Sequence, residues 1–278
     1  MSITPVSVGC PDGSKILVGS DQPLLLIAGP CVLESEELAR QVAGTMQEIC
    51  SKLNISYIFK ASFDKANRTS LTSFRGPGLG KGLEILGRIR EELDVPVISD
   101  IHEPNQAEMV ADVLDIIQIP AFLCRQTDLL TAVSKTGKPI NLKKGQFVSP
   151  WDMKNAVDKV RSGGTSQVML VERGASFGYN NLVVDMRSFS VMHSFDCPVI
   201  YDATHSVQLP GGAGGSSGGQ REFIAPLSRA AVAAGIDGLF MEVHPAPDKA
   251  LCDGPNSIAL AEIETILNQL VSIRTSLS

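Results

Sequence analysis

Eight short apolar runs, rich in β-branched residues, recur along the chain and constrain its fold more than any other feature. They are LLLIAGP from Leu24, SYIFKAS from Ser56, VPVISDI from Val95, DIIQIPA from Asp115, KPINLKK from Lys138, QVMLVERG from Gln167, CPVIYDATH from Cys197 and GLFMEVHP from Gly238. Each run is short enough for one strand and apolar enough to be buried on both faces, as strands of a parallel sheet are.

Segments with a helical period lie between these runs. SEELARQVAGTMQEICSKL begins with Ser35 as an N-cap, and SPWDMKNAVDKVRSGG places Pro150 at a first helical position before a glycine stop. Eight βα units in about 250 residues predict a (β/α)₈ TIM barrel, an α/β fold, formed by residues 1–278 as one domain. An open, doubly wound sheet is the structural alternative.

The first 22 residues follow neither the strand nor the helix pattern of the rest. A turn signal at Pro11, Asp12 and Gly13 separates two short β-prone stretches. We therefore predict that residues 1–22 form an N-terminal β-hairpin that closes the bottom of the barrel.

The overall charge limits the classes of partner. The formal net charge is −6, which argues against a broad nucleic-acid or membrane surface because both usually need a basic face. The N-terminus lacks the basic start and apolar run of a secretory signal, so a cytoplasmic location is expected. The six cysteines are scattered singly, without the spacing of a zinc ribbon or a disulfide scaffold.

Charged and polar residues cluster where the predicted strands end, which is where TIM barrels carry their chemistry. These residues are Cys31, Glu34, Lys60, Ser62, Asp100, His102, Gln118, Lys143, Lys144, Glu172, Arg173, Asp202, His205, Glu242 and His244. Few such groups stand at the opposite strand ends. The asymmetry indicates an active site at the carboxyl-terminal mouth.

Five cations converge on this mouth: Lys60, Lys65, Arg68, Lys143 and Arg173. Their mutual repulsion in a partly desolvated cleft calls for bound anions, and phosphates suit both arginine and lysine. The nearby Asn67, Thr69 and Ser70 add neutral hydrogen bonds. The alternative is that these cations are ordinary solvent-exposed charges in loops and bind no ligand.

A second group combines one thiol, one imidazole and two carboxylates, namely Cys31, His205, Glu242 and Asp253. Barrel closure would bring them together, and the set suits a divalent cation of intermediate softness such as manganese, iron, cobalt or zinc. Taken singly, Cys31 could be a core cysteine and His205 a hydrogen-bonded structural histidine.

Two further patterns concern ligands. The glycine- and serine-rich stretch from Leu209, including residues 211–219, is a candidate lid over bound substrate, with a loose loop as its alternative. No GxGxxG or GxxxxGK[ST] pattern stands at a strand-to-helix turn, so no nucleotide cofactor is expected.

Eight motifs, in order along nearly the whole chain, resemble the 3-deoxy-D-manno-octulosonate 8-phosphate synthases. They are IAGPCVLES, FKASFDKANRTS, SDIHEP, IIQIPAFLCRQTDLL, NLKKGQF, ERGASFGYNNLVVDMRS, YDATHSVQ and MEVHPAPDKALCDGP. The 3-deoxy-heptulosonate synthases, which use erythrose 4-phosphate, share GPC but have a KPRTS loop in place of KANRTS, so they are the second choice.

The resemblance implies a homotetrameric TIM barrel that condenses phosphoenolpyruvate with D-arabinose 5-phosphate in the pathway to lipopolysaccharide. It implies that phosphoenolpyruvate is held by Lys60, Ser62, Lys65, Gln118, Lys143 and Arg173. The pentose and its phosphate would be held by Asn67, Arg68, Ser70, His205 and Gln208. Arg68 and its neighbours would also reach into the site of an adjacent subunit.

The catalytic residues implied in this way are Lys60, Lys143, His205, Cys31 and Asp253, with Asp100 and His102 as supporting or proton-handling groups. The family has a metal-dependent branch with cysteine at the Cys31 position and a metal-free branch with asparagine there. CDGP, from Cys252 to Pro255, resembles the metal-free branch. Because asparagine supplies no thiolate, Cys31 outweighs CDGP, and we expect a metal enzyme.

Two other functions are compatible with the residues. A Schiff-base aldolase would use Lys60 or Lys143 as a desolvated nucleophile, and borohydride would trap it. A noncatalytic sugar-phosphate binding barrel would bind both ligands without turnover.

Overall fold

The computed structural model describes residues 3–212 and 217–277. Its strands are β1 Val6–Gly9, β2 Lys15–Val18, β3 Leu25–Gly29, β4 Ser56–Lys60, β5 Val97–Asp100, β6 Ile116–Ile119, β7 Ile140–Lys143, β8 Val168–Glu172, β9 Ala175–Ser176, β10 Leu182–Val183, β11 Val199–Asp202, β12 Gln208–Leu209, β13 Gly218–Gly219, β14 Gly238–His244 and β15 Ile258–Ala259. Its helices are α1 Glu36–Leu53, α2 Leu79–Leu93, α3 Gln106–Ala111, α4 Thr127–Ser134, α5 Met153–Gly163, α6 Arg187–His193, α7 Ile224–Ala233 and α8 Ile263–Ser276.

The eight predicted strands pair in parallel, in the order β11-β8-β7-β6-β5-β4-β3-β14. β11 also pairs with β14, with Ile200 opposite Gly238, so the sheet closes on itself. A helix follows each of these strands, and the predicted (β/α)₈ barrel is confirmed. The alternative of an open sheet is wrong because both edge strands satisfy their backbone groups against each other.

Side chains of the barrel strands alternate between two apolar clusters. On β3, Leu25 and Ile27 belong to the cluster inside the barrel, whereas Leu26 and Ala28 belong to the cluster that faces the helices. All four are fully buried, which explains why the strands are almost continuously apolar in sequence.

The N-terminal hairpin forms as predicted, with β1 and β2 antiparallel and Val6 opposite Val18. Val6, Val8 and Val18 are buried in the same cluster as the residues inside the barrel, including Leu25 at the start of β3. The hairpin therefore closes the bottom of the barrel and leaves the mouth at the other end.

The predicted helix signals are confirmed except at one position. Ser35 caps α1, its Oγ accepting a hydrogen bond from the backbone N–H of Leu38 at 3.1 Å. Gly164 ends α5 with φ of 127°. Pro150 is not at the first helical position, because residues 149–152 form a turn and α5 begins only at Met153. No helix in the described ranges is long and apolar enough to cross a membrane.

Gly29 packs with its backbone directly against the end of β4, where Lys60 of the predicted site lies. A Cβ atom at Gly29 would lie 2.1 Å from the carbonyl oxygen of Lys60. In contrast, a Cβ atom at Gly44 in α1 would meet no described atom within 4 Å.

We expect Gly29→Ala to lower the free energy of unfolding by about 1–3 kcal/mol or more, because strand β4 must move away from the added methyl group. Gly44→Ala should be between neutral and about 1 kcal/mol more stable, because alanine favours helix. Urea unfolding of both variants measures this. Equal stability of the two would contradict the close packing at Gly29.

Candidate active site

A cavity of about 360 Å³ opens at the carboxyl-terminal mouth of the barrel. The residues predicted for substrate or metal that line it are Lys60, Lys65, Asn67, Arg68, Gln118, Lys143, Arg173, His205, Gln208 and Asp253. Asp100 and His102 line it as well. The structure therefore brings together all five predicted cations, from loops and strands spread over more than 100 residues of sequence.

Lys60 lies at the end of β4 and is 1% exposed. Its ammonium group donates to the carbonyl oxygen of Cys31 at 2.9 Å and to Ser62 Oγ at 3.0 Å. It also lies 3.6 Å from Glu242 Oε1 and 3.9 Å from Asp100 Oδ1. A buried cation with these partners is held at a fixed position in the cavity wall.

Asp100, at the end of β5, is held by several donors. Ser62 Oγ donates to it at 2.9 Å and Gln118 Nε2 at 3.0 Å. Burial alone would raise the pKa of this carboxyl, but the ammonium groups of Lys60 and Lys65 more than offset burial and hold the pKa well below its usual range. Ser62 is not part of the cavity lining. Its hydroxyl instead holds the Asp100 carboxylate through a hydrogen bond.

Lys143 and His205 share one buried carboxylate, Asp202. Lys143 Nζ donates to Asp202 Oδ2 at 2.6 Å and lies 3.5 Å above the ring centroid of Phe240. His205 Nδ1 donates to the same oxygen at 2.9 Å. Burial favours the neutral acid, but His205 and Lys143 keep the pKa of Asp202 well below its usual value.

The same contacts shift the pKa values of the two bases in opposite directions. Burial lowers the pKa of Lys143, and Asp202 only partly restores it. For His205, burial lowers the pKa, but the charges of Asp202 and Glu242 prevail and the pKa is raised above its ordinary 6.5.

Arg173 follows β8 and is 4% exposed. Its Nη2 donates to Gln208 Oε1 at 3.1 Å, and Gln208 Nε2 donates to Asp253 Oδ1 at 3.1 Å. Its buried Nη1 has no hydrogen-bond partner in the described part of the chain. A guanidinium that stays charged and keeps an unused donor beside a cavity is suited to bind an anion.

The loop with FKASFDKANRTS places Asn67, Arg68 and Thr69 on the cavity lining. Arg68 also contacts the sulfur of Cys252. Ser70 is placed differently: its hydroxyl lies 3.0 Å from that of Thr72 and is not part of the cavity lining.

The predicted metal ligands form two overlapping triads that share Asp253. One triad is His205, Glu242 and Asp253, and the other is Cys31, Cys252 and Asp253; within each, the ligand atoms lie within 4.8 Å of one another. Cys252 is not among the four ligands predicted from the sequence. The signal that could have revealed its position is its place next to Asp253.

Glu242 provides the test of whether these residues suit a metal. It is fully buried, and neither of its carboxylate oxygens has a hydrogen-bond partner among the described residues. Its neighbours are charges: His205 Nε2 at 3.2 Å, Lys60 at 3.6 Å and Lys65 at 3.8 Å. A buried carboxylate with unused oxygens, beside an imidazole, a second carboxylate and thiols, fits a divalent cation.

Several residues of the strand-end group lie behind the cavity. Lys144 Nζ is 3.3 Å from Glu172 and donates to three backbone carbonyls, so it holds the loop after β7. Glu34 accepts from the backbone N–H of Leu251 at 2.9 Å and lies 3.5 Å from His244. Glu34 and His244 thereby support the loop that carries Cys252 and Asp253.

The flanks of the glycine-rich stretch border the cavity. Gln208–Leu209 and Gly218–Gly219 form the short β12–β13 ladder, and Gly211 and Ser217 line the cavity. Residues 213–216, the centre of the predicted lid, lie outside the described residues. The lid therefore stays a prediction.

The raised pKa of His205 predicts how stability depends on pH in metal-free protein. A raised folded-state pKa stabilises the fold fully below the unfolded value, about 6.5, and this contribution is lost as pH rises through the folded-state pKa. The difference in unfolding free energy between wild type and His205→Gln should thus be largest at pH 6.5 or below and shrink at higher pH.

Urea unfolding of chelator-treated protein across this pH range measures the difference. Asn67→Ala, which changes a non-titrating residue of the cavity lining, is the control and should keep the wild-type slope. A pH-independent difference for His205→Gln would mean that Asp202 and Glu242 do not stabilise the imidazolium.

Comparison with known proteins identifies the family of the chain. Residues 4–278 match the sequence profile of the DAHP synthetase I family. A Desulfotalea psychrophila protein named 2-dehydro-3-deoxyphosphooctonate aldolase is 73% identical, covering 99% of this chain and 98% of its own length. Proteins of the same name from Geobacter sp. (62%, covering 93% and 94%) and Cyanothece sp. (59%, covering 94% and 96%) are also similar. The chain belongs to the DAHP synthetase I family.

Proposed function

We propose that this chain is a transferase that condenses phosphoenolpyruvate, D-arabinose 5-phosphate and water to 3-deoxy-D-manno-octulosonate 8-phosphate and inorganic phosphate. The observation that carries the proposal is the set of buried cations at the cavity, above all Arg173 with its unused buried donor. The relatives named 2-dehydro-3-deoxyphosphooctonate aldolase support it, since they match over nearly their whole length. We also propose that the product is used in the synthesis of lipopolysaccharide.

Phosphoenolpyruvate would bind in the deep part of the cavity. Lys60, Lys143 and Arg173 are each at most 6% exposed, and Gln118 lies beside them on the lining. Because Lys60 and Lys143 are already fixed by carboxylates and lie over Phe240, they need little reorganisation when charge develops during the reaction.

The pentose phosphate would bind nearer the opening. Asn67, Arg68 and Thr69 line this region, together with His205 and Gln208. This arrangement would hold the aldehyde carbon of the sugar close to the enol carbon of phosphoenolpyruvate, which is the proximity that a bimolecular condensation needs.

The chemistry follows from the two substrates. The enol carbon attacks the aldehyde carbon, water adds to the neighbouring carbon, and the resulting hemiketal phosphate releases phosphate. Lys60 and Lys143 would stabilise the negative charge of the reactants. The aldehyde oxygen would take up the proton that the added water releases, and His205, fixed by Asp202, would line this part of the pentose site.

We also propose a divalent metal, iron, manganese, cobalt or zinc, held by Cys31, His205, Glu242 and Asp253. Such a cation supplies Lewis acidity toward an aldehyde oxygen or a water molecule. The buried Glu242 oxygens without hydrogen-bond partners support this part of the proposal.

The Schiff-base alternative needs a neutral amine. Burial lowers the pKa of Lys143, as this alternative requires, but Asp202 holds the ammonium group of Lys143 in an ion pair at 2.6 Å. Lys60 donates hydrogen bonds to the carbonyl oxygen of Cys31 and to Ser62 Oγ. These contacts favour electrostatic roles for both lysines over a covalent one.

We further propose a cytoplasmic homotetramer. Leu71, Phe122, Phe177 and Tyr179 are between 52% and 100% exposed, and such side chains are often covered in assemblies. All six cysteines are free in the structure, as is usual for proteins of a reducing compartment. Sedimentation of the purified chain measures its assembly.

The first experiment measures phosphate release from phosphoenolpyruvate with arabinose 5-phosphate, and in parallel with erythrose 4-phosphate. We expect turnover with the pentose, loss of turnover on chelation, and recovery when metal is added back. Turnover with erythrose 4-phosphate alone would instead favour the heptulosonate reaction. Turnover of the pentose that is unchanged by chelation would contradict the proposed metal. Trapping of a lysine by borohydride would favour the Schiff-base aldolase.

Arg173→Gln tests the anion site. Loss of a charge-assisted hydrogen bond of about 1.5–3 kcal/mol predicts a fall in kcat/KM for phosphoenolpyruvate of roughly 10- to 100-fold. Arg187→Gln is the matched control, because Arg187 is exposed and pairs only with Asp185 among the described residues. Similar kinetics in both variants would contradict the role of Arg173.

A further inference from the structure

We propose that Cys252 is a metal ligand beside Cys31 and Asp253, so that the centre has two thiolates and takes a thiophilic divalent cation, zinc or cadmium. The inference rests on the metal site of the proposed function and adds one donor to it. The predicted ligand set does not include Cys252, and the resemblance connects CDGP, which begins at Cys252, with the metal-free branch.

The two sulfurs are brought together only by the fold. Cys31 follows β3 and Cys252 lies in the loop after β14, 221 residues further along the chain. Their Sγ atoms lie 2.8 Å apart, and both side chains are at most 4% exposed. Asp253 Oδ2 lies 3.3 Å from the sulfur of Cys31, which completes a group of three donors.

The spacing suits one cation. Zinc–sulfur bonds of about 2.3 Å in a tetrahedral site place two sulfurs roughly 3.8 Å apart. The sulfurs of Cys31 and Cys252 therefore need to separate by about 1 Å to reach this distance. The triad of His205, Glu242 and Asp253 shares the Asp253 carboxylate and is placed to complete the coordination.

The surroundings of Cys252 are those of a ligand rather than of a core cysteine. Val32 is the one other buried apolar residue in the small cluster with the two cysteines, whereas Arg68 contacts the sulfur of Cys252 directly. Hydrogen bonds from outer groups to a thiolate ligand are common at metal centres and tune them. Glu34 anchors the loop by accepting the N–H of Leu251.

The donor types decide which metal fits. Two thiolates, with a carboxylate and an imidazole close by, make a softer set than a single thiolate does, and soft ligands select zinc over manganese or magnesium. Glu242, fully buried, lies with His205 and Asp253 in the second triad and offers a further carboxylate next to the two thiols and Asp253.

Anaerobic titration of reduced, chelator-treated full-length protein with Co²⁺ tests the inference, with thiolate-to-cobalt charge-transfer absorption as the readout. At saturation, Cys252→Ser should lose about half of the wild-type absorption and bind Co²⁺ at least about tenfold more weakly. Cys10→Ser, in the turn between β1 and β2, is the control and should match wild type. Full absorption and affinity in Cys252→Ser would overturn the proposal.

X-ray absorption at the zinc edge of zinc-loaded wild type keeps the test independent of the variants. Two sulfur ligands per zinc are expected, and one sulfur would overturn the inference. Both readouts are separate from turnover. A protein with two sulfur ligands and no condensation activity would therefore refute the proposed reaction and leave Cys252 as a ligand.

Discussion

Three buried carboxylates hold the site together, and most of its geometry depends on them. Asp100, Asp202 and Glu242 are at most 6% exposed, and water cannot stabilise their charges. They stay ionised because ammonium and imidazolium groups surround them, and these cations are in turn held at the strand ends by the carboxylates. Removing one carboxylate would leave buried charges uncompensated, so mutations within this network should not act additively.

This network changes how the cations of the cavity act on a substrate. Five converging cations, taken alone, would repel one another strongly and demand anions from outside. The fold supplies part of that compensation, because Asp202 pairs with Lys143 and Glu242 lies near Lys60 and Lys65. The positive charge left for phosphates is therefore concentrated on fewer groups, with Arg173 foremost because it keeps an unused donor. A divalent cation at Glu242 and Asp253 would restore positive charge where the carboxylates have reduced it.

Barrel closure converts distant sequence positions into neighbours. β14 lies between β11 and β3, so Glu242 lies 3.2 Å from His205, which follows β11, and its strand neighbours the one that leads to Cys31. The loop after β14 then adds Cys252 and Asp253, held in place by Glu34 through the N–H of Leu251. The apolar interior and the hairpin beneath it fill the rest of the barrel, which confines polar chemistry to the mouth.

By itself, the sequence determined the strand runs, the N-cap at Ser35, the hairpin turn and the candidate residues, because these follow from local hydrophobic periodicity, turn chemistry and motif resemblance. Local patterns could not place the start of α5, where a turn at residues 149–152 precedes Met153. They also could not show that Ser62 supports Asp100, that Ser70 faces Thr72, or that Cys252 touches Cys31. Only the tertiary structure decided these points, since side-chain direction and contacts between residues far apart in sequence depend on how the closed barrel packs.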